Sequence, residues 1–140
     1  MKITMGKDRQ DSELIRQKVI EHNMNMLPEE VKTPVEHMNF VLRNEAGTIQ
    51  GGLTATVFWG HLHVDFLWVD ESLRGQGQGS ALIEQMEQAA REKSCRLITL
   101  DTFSFQAPDF YKRNGYEVFG VLEDHPKGFS QYFLQKRLDI

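Results

Sequence analysis

A single cysteine, Cys95, stands in the 140-residue chain. One thiol cannot close an internal disulfide, so a disulfide-stapled secreted scaffold is excluded. A reducing, cytoplasmic setting is the expectation that follows. No apolar run approaches the roughly 18 residues of a membrane span, and residues 1–8 lack the apolar heart of a signal peptide. Basic blocks are missing too. With 16 Lys and Arg against 20 Asp and Glu, the net charge is -4, which argues against nucleic acid as the partner. There are no repeats, linkers or low-complexity stretches. What remains is a composition of 40% hydrophobic and 26% charged residues, ordinary for one globular domain with a real core.

The organising stretch runs from His61 to Lys93 and reads as strand, turn, glycine loop and helix. Before it, Lys2 to Met5 suggests a short strand. Asp11 and Ser12 offer an N-cap for a helix over 12–25, in which Leu14, Ile15, Val19 and Ile20 recur at helical spacing. Pro28 and Pro34 keep the next segment irregular, with a helical turn at Glu29 to Val31. Residues 38–43, 48–59 and 61–69 alternate as strands joined by tight turns, a meander.

After the loop, Leu82, Ile83, Met86, Ala89 and Ala90 mark one face of an amphipathic helix. Residues 96–102 form a strand, and a strand-helix-strand crossover makes it parallel to 61–69. Pro108 opens a short helix that Gly115 stops. Two strands, 116–122 and 129–138, close the chain. The fold class is therefore α/β of the α+β kind. It is a mixed, mostly antiparallel sheet of six to seven strands with helices on both faces.

Arg74, Gly75, Gln76, Gly77, Gln78, Gly79 and Ser80 sit where strand becomes helix. Glycines let a ligand approach the backbone, and the free N–H groups of a helix start favour an anion. A nucleotide P-loop is rejected, because no lysine precedes Ser80. A dinucleotide fingerprint has the wrong last spacing, although Asp101 falls at the distance of its ribose-binding acid. A turn without a ligand would waste three glycines where each destabilises a helix start by about 0.5–1 kcal/mol.

Residues 74–79 match an arginine or glutamine, two residues, glycine, one residue, and glycine or alanine. In this they resemble the signature of the GNAT superfamily of acetyl-CoA-dependent N-acetyltransferases. Residues 106–117, with Ala107, Tyr111, Gly115 and Tyr116, resemble that family's second signature. The two motifs stand in the family's order about 30 residues apart. Ser104 occupies the place of an asparagine that touches the coenzyme in many members, and Gln106 is a substitute donor.

The resemblance implies a single N-acetyltransferase domain over 1–140, with acetyl-CoA as co-substrate and no metal. The pyrophosphate would lie on the backbone of Gly75, Gln76, Gly77, Gln78, Gly79 and Ser80, with Arg74 adding charge or holding the turn. Phe110 would flank the coenzyme. The pantetheine arm would pair with Leu67, Trp68 and Val69 where the two parallel strands splay. Tyr111 matches the tyrosine near the thioester sulfur, a general acid or thiol-positioning group.

For the base, His63 stands near a position where some members carry a carboxylate, with Asp65 to orient it. Alternation puts His61, His63, Asp65 and Leu67 on one side of their strand. Cys95 is a buried structural thiol, far from the loop, so transfer is expected to be direct, in a ternary complex. The acceptor is a small-molecule or peptide amine, with residues 22–35, the 61–65 face and the His125 loop as its cleft. The rival reading is a non-catalytic acyl-CoA-binding module. No membrane or nucleic-acid partner is expected, and a homodimer through a terminal strand edge is the guess for oligomeric state.

Overall fold

The computed structural model describes residues 1–139 and divides into two compact units, the first Met1–Lys32 and the second beginning at Thr33. The first unit contains α1, Arg9–Met26. Its N-cap is Asp8, whose carboxylate accepts from the Gln10 N–H at 2.8 Å, three residues earlier than the Asp11–Ser12 pair had suggested. Asp8 wins because its side chain reaches the second N–H of the turn while its own carbonyl takes the Ser12 N–H. Residues 2–5 form no strand. Val31 and Lys32 return their N–H groups to Pro28 and Glu29, giving the short turn expected there.

The second unit is a six-stranded sheet with two helices. Its elements are β1 (Glu36–Arg43), β2 (Ile49–Phe58), β3 (His61–Val69), α2 (Gln78–Glu92), β4 (Leu97–Phe103), α3 (Pro108–Arg113), β5 (Glu117–Glu123) and β6 (Ser130–Arg137). The strand order is β1-β2-β3-β4-β6-β5. Every neighbouring pair is antiparallel except β3 and β4, the pair joined by the helical crossover.

Alternation along the strands sends Leu53, Ala55, Val57, Leu62, Val64, Ile98, Leu100 and Leu134 to one face. There they meet Leu82, Ile83, Met86 and Ala90 of α2 and Tyr111 of α3 in one core. Full burial of each Leu, Ile or Met contributes roughly 1.5–3 kcal/mol, so α2 is fixed mainly by its apolar stripe. Cys95 is buried in this core, and burial pushes its thiol pKa up. A charged pair anchors the same helix: Lys136 Nζ of β6 lies 3.0 and 2.8 Å from the two carboxylate oxygens of buried Glu87 and 3.1 Å from the Asn114 carbonyl.

One irregularity sets the site. In the β2–β3 ladder Thr54 pairs with Phe66 but Ala55 pairs with Val64, so Asp65 has no partner. This bulge re-aims the strand. Leu62 and Val64 face the core before it; Leu67 and Val69 pack against the core after it, and Phe66 and Trp68 turn outward. The strict alternation expected from sequence, with Leu67 beside His63, fails at this one inserted residue.

Candidate active site

The parallel β3–β4 ladder is only three pairs long: His61 with Leu97, Leu62 with Ile98, His63 with Thr99. Past His63 the strands part. From Val64 onward β3 is hydrogen-bonded to β2 alone, and β4 past Thr99 to β6 alone. Their facing edges present backbone groups with no strand partner. Such groups call for a polar occupant or water.

A cleft of about 820 Å³ fills the gap. Val64 to Val69 form one wall and Leu100 to Thr102 the other. The glycine loop closes one end, and Phe105 to Ala107 with Phe110 and Tyr111 of α3 form a further side.

The glycine loop is shaped by local rules. Asp70 accepts from the Ser72 N–H and hydroxyl and caps a 3-10 turn at residues 71–73. Those bonds hold its carboxyl below the usual carboxylate range. Arg74 Nε donates to the Val69 carbonyl at 3.1 Å, so this side chain holds the turn as well as lining the cleft. Gly75 and Gly77 have φ of 78° and 81°, the left-handed region that disfavours a Cβ. Gly77 is the N-cap of α2, and its carbonyl accepts from the Ala81 N–H. None of the N–H groups of residues 75–80 meets a backbone acceptor among the described residues. Gly79 is glycine for a different reason: a Cβ there would come within 3.1 Å of Phe110 Cζ. The ring packs directly on the loop backbone.

At the opposite end, the bulge presents Asp65. Its Oδ2 accepts from Thr56 at 2.7 Å and its Oδ1 lies 3.0 Å from His63 Nδ1. His63 Nε2 lies 3.9 Å from Asp101 Oδ2, and Gln131 donates to Asp101 Oδ1 at 3.0 Å. His61 bonds Thr99 at 2.6 Å. Burial and the neighbouring His63 hold the His61 pKa below its ordinary value. Tyr111 is buried in α3 and lines the cleft. Desolvation, reinforced by Asp101, pushes its phenol up to about 12, so it carries its proton at any physiological pH.

Of the residues expected from sequence, Leu67, Trp68, Val69, Arg74, Gly75, Gly77, Gln78, Gly79, Ser80, Gln106, Phe110, Tyr111 and Asp65 line the cleft. Three do not. Gln76 folds its amide back onto the Ser72 carbonyl. Ser104 binds β6, its hydroxyl accepting from the Ser130 N–H at 3.0 Å. His63 is not a lining residue itself but reaches two that are, with Nδ1 3.0 Å from Asp65 and Nε2 3.9 Å from Asp101. Gln106 lends its side-chain oxygen to Thr102 and Phe103, leaving its amide nitrogen as donor. Among the lining residues that sequence reading missed as site residues, Asp101 and Arg113 are the charged ones. Alternation from Thr99, the last residue paired to β3, would have put Asp101 at the fork.

Residues 9–116 match the family model described as the Acetyltransferase (GNAT) family. Blasticidin-S acetyltransferase of Streptomyces morookaense is 45% identical over 95 residues, 67% of this chain and 70% of that protein. An acetyltransferase of Agrobacterium fabrum is 31% identical over 130 residues, 93% of each chain. The crystal structure of an acetyltransferase from Bacillus cereus superposes with a TM-score of 0.95 at 55% identity, covering 98% of both chains. The chain belongs to the GNAT family and is an acetyl-CoA-dependent N-acetyltransferase.

Proposed function

We propose that the enzyme transfers acetyl from acetyl-CoA to a primary amine by direct attack in a ternary complex. The carrying observation is the fork between β3 and β4, with unpaired N–H donors at one end and Asp65, Asp101 and Tyr111 at the other. The pyrophosphate sits on the N–H groups of residues 75–80, where the positive end of the α2 dipole adds to them. Arg74 and Arg113 are the cationic side chains of the lining. The amide-bearing arm pairs with the free edge of Leu67 to Val69, as an added strand would. Phe110 flanks the coenzyme against the loop, and Gln106 offers its amide nitrogen.

The thioester then lies beside Tyr111. Attack forms the C–N bond; collapse breaks the C–S bond and releases thiolate. Moving a full proton from a phenol near 12 to an ordinary thiolate is uphill by roughly 5 kcal/mol. Tyr111 therefore acts as a hydrogen-bond donor to the developing thiolate. His63 is the base. Asp65 can only accept, so it holds the proton on Nδ1 and leaves Nε2 with its lone pair.

Blasticidin S, named for the Streptomyces relative, is the first acceptor to assay, beside polyamines, aminoglycosides and peptide amines. The test is thiol release from acetyl-CoA across that panel, with ADP as a competitor for the loop. Release with an amine, inhibited competitively by ADP against acetyl-CoA, is expected. No release with any amine would favour an acyl-CoA-binding module instead.

A further inference from the structure

His63 and Asp101 face each other across a gap of defined chemistry. Asp65 fixes the Nδ1 proton, so neutral His63 presents only an acceptor at Nε2. Opposite it, Gln131 donates to Asp101 Oδ1, and no donor reaches Oδ2 among the described residues. Two acceptors stand 3.9 Å apart, too far for a hydrogen bond between them.

A donor with two N–H bonds diverging from one nitrogen satisfies both. A nitrogen at about 2.9 Å from each subtends roughly 85°, within the bend that N–H bonds of a tetrahedral ammonium tolerate. The negative charge of Asp101 selects a cation over a neutral amide. Asp101 lines the cleft and acts electrostatically on Tyr111, so this pair adjoins the reacting end.

We propose that Asp101 is the acceptor-binding residue: the amine enters as a primary alkylammonium ion seated between Asp101 Oδ2 and His63 Nε2. This rests on the transfer reaction proposed above and names its substrate class. From that seat one N–H bond breaks as Nε2 takes its proton; the neutral amine turns its lone pair to the thioester and attacks, and the second proton shed by the new amide nitrogen ends on the departing thiolate. The seat has two opposed effects. Asp101 strengthens binding but holds the proton on the amine, so the acid limb of kcat lies higher than it would without the carboxylate. The titratable groups that bear on this balance are His63, Asp65, His61, His37 through Thr56, and Tyr111.

The experiment compares wild type with Asp101→Asn, and with Asp101→Ser in case the first melts early. Calorimetric titration of spermidine and blasticidin S into protein saturated with free CoA reads binding without turnover. Steady-state kinetics then read KM for the amine, KM for acetyl-CoA and the kcat–pH profile, with methoxyamine as a weakly basic acceptor.

Amine affinity is expected to fall about tenfold to a hundredfold, the loss of one charge-assisted contact, with KM for acetyl-CoA unchanged. The acid limb is expected to move to lower pH, and methoxyamine to be affected less than twofold. Equal losses for both acceptor types, an unmoved acid limb, or affinity within twofold of wild type overturns the seat. So does failure of wild type to bind either alkylamine, which would mean that no ammonium ion sits between the two groups. Asp101-dependent binding without turnover would keep the seat and sink the transfer reaction instead.

Discussion

Tyr111 and His61 show how one side chain's surroundings set its chemistry. A phenol near 12 gives no alkaline limb below about pH 11, so any limb seen between pH 8 and 10 belongs to another group. In the proposed mechanism, Tyr111→Phe removes a single donor to the leaving sulfur. We expect kcat to drop about 10- to 100-fold with KM for acetyl-CoA nearly unchanged, measured by thiol release. An unchanged kcat would remove the donor role.

His61 is held neutral by burial and by His63. Its folded pKa is depressed, so the unfolded chain takes up its proton first as pH falls. The stability is complete above the unfolded value of about 6.5 and is lost as pH drops below it. His61→Gln should therefore narrow the Tm difference between pH 7.5 and 5.5; the same pH dependence in both proteins would show that His61 does not carry it.

At the scale of elements, the loop and helix that follow β3 were legible because their rules are local. Asp70 capping a turn, Gly75 and Gly77 at positive φ, and Pro108 at the first turn of α3 all act within a few residues. Gly79 is the exception, since its reason lies about 30 residues on, in the Phe110 ring. Gly79→Ala should displace that ring by a few tenths of an ångström. KM for acetyl-CoA should rise several-fold, at a stability cost of about 1–3 kcal/mol for an overpacked contact. Gly77→Ala meets open space and should cost about 1–2 kcal/mol through its backbone alone. Denaturant melts of the two variants, set beside their KM values, separate packing from φ.

The bulge at Asp65 was not legible. Periodicity is continuous from His61 to Trp68 in the sequence, and only the register against β2 shows that one residue is extra. The same hidden step turns Leu67 to the core and brings Asp65 against both Thr56 and His63.

Across the whole molecule, the ion pair between Glu87 and Lys136 ties α2 to the last strand. Lys136→Met leaves the Glu87 carboxylate buried with no cation. We expect a loss of about 2–3 kcal/mol, toward the low side of a fully buried pair because the lysine side chain is 26% exposed. Adding Glu87→Leu to that variant should recover most of it, a sign that the cost was the stranded charge. Urea melts of the single and double variants measure both. No helix among the described residues is long and apolar enough to cross a membrane.

Sequence alone determined the element order from 36 to 137, the parallel crossover and the glycine loop. These follow from period, caps and glycine positions that act at short range. Tertiary structure alone decided where β3 and β4 part, which face Leu67 takes, and that Asp101 stands opposite His63. The first and last depend on register between strands nearly 40 residues apart, and the second on the register of β3 against β2; no local pattern in the chain encodes either.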